Sequence, residues 1–590
     1  MTPASSEGQS APPRLALAGL AALASLPFVW PLHTRPLTSF YNEWLAAVLL
    51  LAVGICMLLP PLLSARRTGT IEVPKVSLLV LPLLGVIAVQ WFGAKLTYAS
   101  DALLPIWILA LTGAAMVVGN ALGRQAGLPR LSAWICAGIV VGALANFAMQ
   151  IVQLCTEHGF RIGLIHFDTG GVYYGSLGQR NHLATYFGWA LVAALYLGAA
   201  RRLAPTMLVS LVLVFLAGAA LTASRTSWLQ IVWIAAAAGF VVGRMSMQER
   251  PKGWGLVVAL PVLFAVVNLA LPVVLGWFGF SMGTSGLERV VGSGVDSARL
   301  LLLEQGWAVF LQHPLLGVGP GQFYFNQFLL LDHAETTLFA TSTHNLILDL
   351  LVFTGLAGTI PFLALLLGWW LRARRAAMTI ERLALWLLLS VLGIHAMLEL
   401  PHTYAYFLLP AAVFLGALET GCFELRLRPL LRFLPAAIAA YALVASGMLL
   451  QQYRELEWLF ARYYVVQRLV PNDDPAALER IEGFRRASWL DGPAEFLLCY
   501  NFALNENALD QKLAISGRAI RYLPEPHVMY RHAVLLALDG RQEEGAAHLL
   551  RLRKQFPQAF AEIAEEFEGL AASQPELFAR LSAALAAGRT

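Results

Sequence analysis

Residues 254–278 read WGLVVALPVLFAVVNLALPVVLGWF, twenty-five positions without one charged side chain. A helix needs about 20 mainly apolar residues to cross a bilayer, and this stretch supplies them. The pattern recurs along the chain, at 15–32, 44–63, 76–92, 102–120, 131–155, 182–200, 203–221, 226–243, 254–278, 344–371, 383–398, 403–420 and 433–451. Over all 590 residues, 58% are hydrophobic and 13% charged, with a mean hydropathy of +0.65. Soluble domains carry about a quarter charged residues. An all-α, polytopic membrane protein with about thirteen transmembrane helices is predicted.

Charge marks a division. Of the 77 charged side chains, 35 follow position 451. Residues 1–451 therefore read as a membrane domain and 452–590 as a charged, soluble helical domain. With the N-terminus inside, the inner loops and Arg14 hold eighteen basic residues, while the outer loops before the tail hold seven: Arg35, Lys95, Arg161, Arg180, Arg225, Arg289 and Arg299. This is the asymmetry of the positive-inside rule, and it puts the segment 279–343 and the tail outside. The net charge of +5 comes mostly from loop residues that orient helices, so no nucleic-acid partner is implied. The five cysteines show no CxxC spacing, so neither a disulfide framework nor a zinc site is expected. Arg14 and the apolar run Leu15–Leu32 lack a small-residue cleavage site, and a retained first helix is expected.

Four polar clusters stand out against this apolar background. Gly178-Gln179-Arg180-Asn181-His182 opens the sixth span. Such residues are costly in lipid and should line a cavity, although a snorkelling arginine over an interfacial cap would look alike. Thr222-Ala-Ser-Arg-Thr-Ser227 forms a short outer turn around Arg225, whose planar fork suits a pyrophosphate or a lipid headgroup. The outer segment runs Asp296-Ser-Ala-Arg299-Leu300, Glu304, then HPLLGVGPGQF at 313–323, and ends at Thr343-His344-Asn345. It reads as an amphipathic helix followed by a glycine-rich turn. Glu399-Leu-Pro-His-Thr-Tyr404-Ala-Tyr406 fills a further outer turn.

The stretch GSLGQRNHLA at 175–184 resembles the signature of pilin-glycosylating O-oligosaccharyltransferases. The succession of an arginine helix, HPLLGVGPGQF and a His-Asn at a helix start resembles the core of the O-antigen ligase and O-oligosaccharyltransferase superfamily. The resemblance covers most of residues 170–410. It implies an undecaprenyl-pyrophosphate-linked oligosaccharide as donor, and an active site on the periplasmic side of a bacterial inner membrane. His344 falls where the family places its essential histidine. Either Tyr404 or Tyr406 matches its functional tyrosine. A tail beyond the last span fits the protein-directed members, whose acceptors are serine or threonine hydroxyls of pilin-like or periplasmic proteins.

The expected chemistry follows. Arg180, Arg225 and Arg299 are the candidates to hold the pyrophosphate, with Gln179, Tyr404 and Tyr406 as further contacts to the pyrophosphate or the glycan. An imidazole titrating near neutrality suits the base that activates the hydroxyl, so His344 is assigned, with Glu399 as second candidate. Direct displacement inverts the anomeric centre. No DxD pair occurs in the outer loops, so no metal and no cofactor are expected. An O-antigen polymerase or a ligase acting on lipid A-core would share this architecture. A transporter would place charges and helix breaks mid-membrane. In the tail, the 33-residue spacing from Pro524 to Pro557 resembles one tetratricopeptide-like hairpin, so either a small helical array that binds extended peptides or a helical bundle without a repeat is expected.

Overall fold

The computed structural model describes residues 14–63, 70–156, 161–162, 165–166, 172–245, 250, 254–280, 297–332, 338–426, 431–464 and 474–586. Asp296 and Arg289 lie outside the described residues. Each of the thirteen predicted spans coincides with helix. Among the described residues, nine are long and apolar enough to cross a membrane, from Phe40–Leu58 to Leu434–Tyr463. The remaining four are the shorter helices within Arg14–Val29, Pro205–Leu221, Ile380–Ala396 and Ala405–Leu418. The chain is a multi-pass, all-α membrane protein. Its strands form two small sheets among the described residues; one pairs Thr70–Pro74 with Cys422–Arg426 in antiparallel register.

Two compact units form. The first comprises residues 1–80, 110–294 and 364–447; the second comprises 81–109, 295–363 and 448–590. The charge-based division at 451/452 falls inside the helix Leu434–Tyr463.

The first unit is organised around the helix Arg180–Ala199. Of its apolar window 83% is buried, the largest share of any span, because the helices Leu128–Cys155, Pro205–Leu221, Arg225–Gly243 and Ile380–Ala396 all pack on it. Lipid cannot drive apolar helices together, so close backbone approach must do it. At Gly416 of the Ala405–Leu418 helix a Cβ would collide with the Met116 carbonyl, and the Asn120 amide donates to the Gly416 carbonyl at 3.0 Å.

In the second unit the tail forms successive helices, each packed on the next, Pro475–Ala487, Asp491–Asn501, Leu509–Tyr522, Pro526–Leu538, Gln542–Gln555, Pro557–Ser573 and Ala579–Ala586. The hairpin predicted between Pro524 and Pro557 is the pair Pro526–Leu538 and Gln542–Gln555, turned at Gly540 with φ +82°. Pro526 and Pro557 open their helices, where the missing N–H costs nothing. Asp491 also caps a membrane helix: its carboxylate accepts the backbone N–H groups of Ala99 and Ser100 at 2.9 and 3.0 Å.

The helix Leu346–Ala373 is broken at Gly355, whose φ/ψ of 58°/−165° only glycine adopts readily. A break exposes backbone groups, and the HPLLGVGPGQF turn satisfies them. Val318 and Gly319 donate to the carbonyls of Val352 and Phe353 at 2.8 and 3.1 Å; Leu356 and Ala357 donate to those of Pro314 and Leu315 at 2.8 and 3.0 Å. The Gln90 amide closes the seam, donating to Leu316 and Phe353 carbonyls at 2.6 and 2.8 Å.

Candidate functional site

The first unit gathers most of the predicted polar residues at one helix mouth. Gln179 takes the N-cap of Arg180–Ala199, its side-chain oxygen accepting the His182 N–H at 2.6 Å. Ser224 caps Arg225–Gly243 in the same way, accepting from Thr226 N at 3.2 Å, after a turn in which Ala223 sits at φ +49°. Its hydroxyl then donates to the Asn181 Oδ1 at 2.7 Å, and the Asn181 amide donates to Glu399 Oε1 at 3.1 Å. One asparagine thus ties two helix starts to the 399–406 turn. Arg180 and Arg225, each the first residue of its helix and each half-buried, flank that tie. Two helix N-termini with a guanidinium apiece suit an anion.

His182 joins the tyrosine turn. Its Nδ1 lies 2.7 Å from the Tyr406 hydroxyl, and its ring stands edge-on to that of Tyr404 at 4.6 Å. Deeper in the bundle, Gln230 donates to the Thr185 hydroxyl at 2.8 Å, which meets His395 Nδ1 at 2.8 Å. Both tyrosines, His182 and Gln179 line a cavity of about 370 Å³, which His33 and Arg35 also border. His33 bridges its own loop to the helix mouth, with Thr38 O at 2.9 Å and Ser176 O at 2.7 Å.

The structure therefore places Gln179, Arg180, Arg225, Glu399, Tyr404 and Tyr406 around the two helix starts of the first unit. Arg299 and His344 belong to the second unit. His344 occupies left-handed backbone, φ +58°, which costs a side chain bearing a Cβ about 1–2 kcal/mol. Its neighbours hold it there. The buried Asp349 carboxylate accepts from the Ser342 hydroxyl at 2.6 Å and from the Thr343 N–H and hydroxyl at 2.7 and 2.8 Å. Ser342 Oγ accepts the His344 N–H at 2.9 Å, while Asn345 caps the following helix through Ile347 N and Leu348 N. Strain kept by surrounding bonds is characteristic of functional positions.

Sequence reasoning did not single out Asn181, Ser224, His182, His395, His33 or Arg35 as site residues. The first three lie inside quoted motifs, where polarity at a span mouth was the available signal. His33, Arg35 and His395 carry no local signal.

Three family models match the chain: O-Antigen ligase over residues 208–363, Protein glycosylation ligase over 174–197, and Virulence factor membrane-bound polymerase, C-terminal, over 383–567. The chain is similar to the General O-oligosaccharyltransferase of Acinetobacter baylyi, 25% identical over 419 residues that cover 68% of this chain and 69% of that protein. It is also similar to the ComP-specific O-oligosaccharyltransferase of the same organism, 22% identical over 398 residues, 65% of this chain and 68% of that protein.

Proposed function

We propose that the chain, similar to O-antigen ligases and O-oligosaccharyltransferases, is a membrane glycosyltransferase that transfers an oligosaccharide en bloc from undecaprenyl-pyrophosphate to serine or threonine hydroxyls of proteins in the periplasm. The observation that carries this reading is a coincidence of position. The protein glycosylation ligase match, 174–197, falls on the capped mouth of the Arg180–Ala199 helix, where Gln179 and His182 line the cavity. The enzyme sits in the inner membrane, with these helix starts and the tail on the periplasmic side.

In the proposed reaction the acceptor oxygen attacks the anomeric carbon and the bond from that carbon to the pyrophosphate oxygen breaks. The proton of the hydroxyl passes to His344, and undecaprenyl-pyrophosphate leaves as an anion. Arg180 and Arg225 stabilise its charge, and Arg299 is assigned the same role from its motif. Fixed guanidinium groups out of water do this better than mobile solvent. Displacement from the opposite face inverts the anomeric centre. Glu399, which accepts from Asn181 among tied side chains, acts better as an orienting group than as the base. No metal is assigned a role.

The match of a membrane-bound polymerase model to residues 383–567 favours a second reading, in which the acceptor is a growing glycan. Purified protein given a lipid-linked oligosaccharide, with a periplasmic protein and a glycan acceptor in parallel and with EDTA in a duplicate set, separates these. Glycan mass on serine or threonine of the protein, insensitive to EDTA, is expected. Extension of the glycan alone favours the polymerase, and rescue by magnesium after EDTA refutes metal independence.

A further inference from the structure

The second unit contains a chain of contacts running from the tail to the backbone before His344. It starts on the helix Gln542–Gln555. Arg551 makes a two-pronged ion pair with Asp332 at 2.7 and 2.8 Å, and Lys554 Nζ donates to the Leu331 carbonyl at 3.0 Å. Both cations meet the C-terminal end of the helix Phe323–Leu330, where exposed carbonyls and the helix dipole favour positive charge. The rings add to the joint. Phe328 stacks on His548 with centroids 5.7 Å apart, Arg551 lies 5.2 Å from the Phe328 centroid, and Phe339 meets Phe556 at 5.3 Å.

The next link is Gln327, on that same short helix and fully buried. Its amide donates to the Leu338 carbonyl at 2.5 Å and accepts the Ala340 N–H at 3.1 Å, so it pairs with the segment 338–340 as a neighbouring strand would. It also meets the Gln305 amide, 2.8 Å away, on the helix Ser297–Gln312 that bears Arg299. Two residues beyond Ala340 begins the Ser342–His344 turn. A buried amide whose bonds run to one stretch of backbone fixes that stretch, because shifting it would leave polar groups unpaired.

We propose that the tail is a positioning element for His344, with Arg551 and Gln327 as its positioning residues. Arg551 seats the Phe323–Leu330 helix, Gln327 transmits that seat to residues 338–340, and these set the left-handed turn at His344. The proposal rests on His344 being the base, and its test keeps the two apart. In full-length protein, Arg551→Glu, Asp332→Arg and the paired exchange are compared by hydrogen–deuterium exchange over 338–344 and by transfer kinetics, with His344→Ala alongside. Each single variant should speed exchange over 338–344 and lower kcat about ten- to a hundredfold, the scale of a misplaced catalytic group, with acceptor KM little changed. The paired exchange should recover both. Unchanged exchange in Arg551→Glu overturns the proposal, as does faster exchange without a fall in kcat while His344→Ala is inactive. An active His344→Ala protein removes the base assignment instead, and the exchange data then still decide whether the tail holds this segment.

Discussion

The Nδ1 of His182 and the hydroxyl of Tyr406 lie 2.7 Å apart inside the bundle, joining the head of the central helix to the tyrosine turn. Both residues are buried, and the bond stands in the wall of the cavity. Tyr406→Phe removes the hydroxyl and leaves a buried ring nitrogen without that partner, at a cost of about 1–3 kcal/mol. The melting temperature in detergent should fall, and transfer should fall with it as the cavity wall loosens. Tyr404→Phe should spare stability, since Tyr404 touches His182 by its ring. Equal melting of Tyr406→Phe and the unaltered protein would show that the contact contributes nothing.

His344 separates backbone strain from chemistry. Both His344→Ala and His344→Gly delete the imidazole and should abolish transfer while the protein still accumulates. Only alanine still carries a Cβ at φ +58°, so the glycine variant should be the more stable of the two by about 1 kcal/mol. Thermal unfolding of the two variants, beside a transfer assay, reads both effects. Transfer by either variant at near-normal rate sinks the assignment of His344 as base.

Gly355 is expected to be intolerant for a reason unrelated to catalysis. Its backbone angles suit only glycine, and an added Cβ would sit 2.6 Å from the Gly317 nitrogen. Gly355→Ala should cost about 2–3 kcal/mol and open the seam between the broken helix and the 314–319 turn. Faster amide exchange at Val318, Gly319, Leu356 and Ala357 is the expected readout. A fully stable variant would mean the seam tolerates a second geometry.

That seam also shows where sequence reading stops. Residues 344–371 read as one uninterrupted apolar span, because the period of a helix carries no mark of a break whose partner lies elsewhere in the chain. HPLLGVGPGQF was legible as a glycine-rich turn; that Gly317 and its neighbours seal a broken helix was not. The spans themselves were legible, since a bilayer demands about 20 apolar residues from each. So was the Gln179–His182 cluster, because polar residues at a span mouth need partners. The partners were hidden: Ser224 and Glu399 reach Asn181 from distant parts of the chain, and Asp491 caps Ala99 from 392 positions away and Ser100 from 391. The charged tail was legible as helical and hairpin-bearing, but charge alone gave no hint that it clasps Asp332.

The pyrophosphate assignment predicts a charge-conserving loss. Arg225→Lys and Arg299→Lys keep the positive charge but not the planar fork, which gives paired bonds to two oxygens. Transfer should drop severely in both, with the fall in kcat exceeding any change in acceptor KM. Full activity in both lysine variants would make these arginines lipid anchors.

The tail joint should weaken in acid, and the sign follows from two histidines. Burial, then His532 and Arg551, hold His548 down to about 3; burial, then Arg541, hold His532 down to about 4. The Glu544 and Asp332 carboxylates face the pair and oppose the shift without cancelling it, and Ser516 bonds His532 at 2.8 Å. Both rings are thus neutral in the folded joint, whereas an exposed histidine takes up its proton near 6.5. The free state binds more protons as pH falls, so the joint is at full strength above about 6.5 and loses stability progressively down to about 4. Hydrogen exchange over 323–332 and 542–556, followed from pH 7.5 to 4.5 after correction for the intrinsic rate, should show protection falling in that window. His548→Gln removes the titrating ring and should flatten the fall. Constant protection across the window, or loss of protection only on raising the pH, contradicts the assignment of these histidines as buried neutral groups.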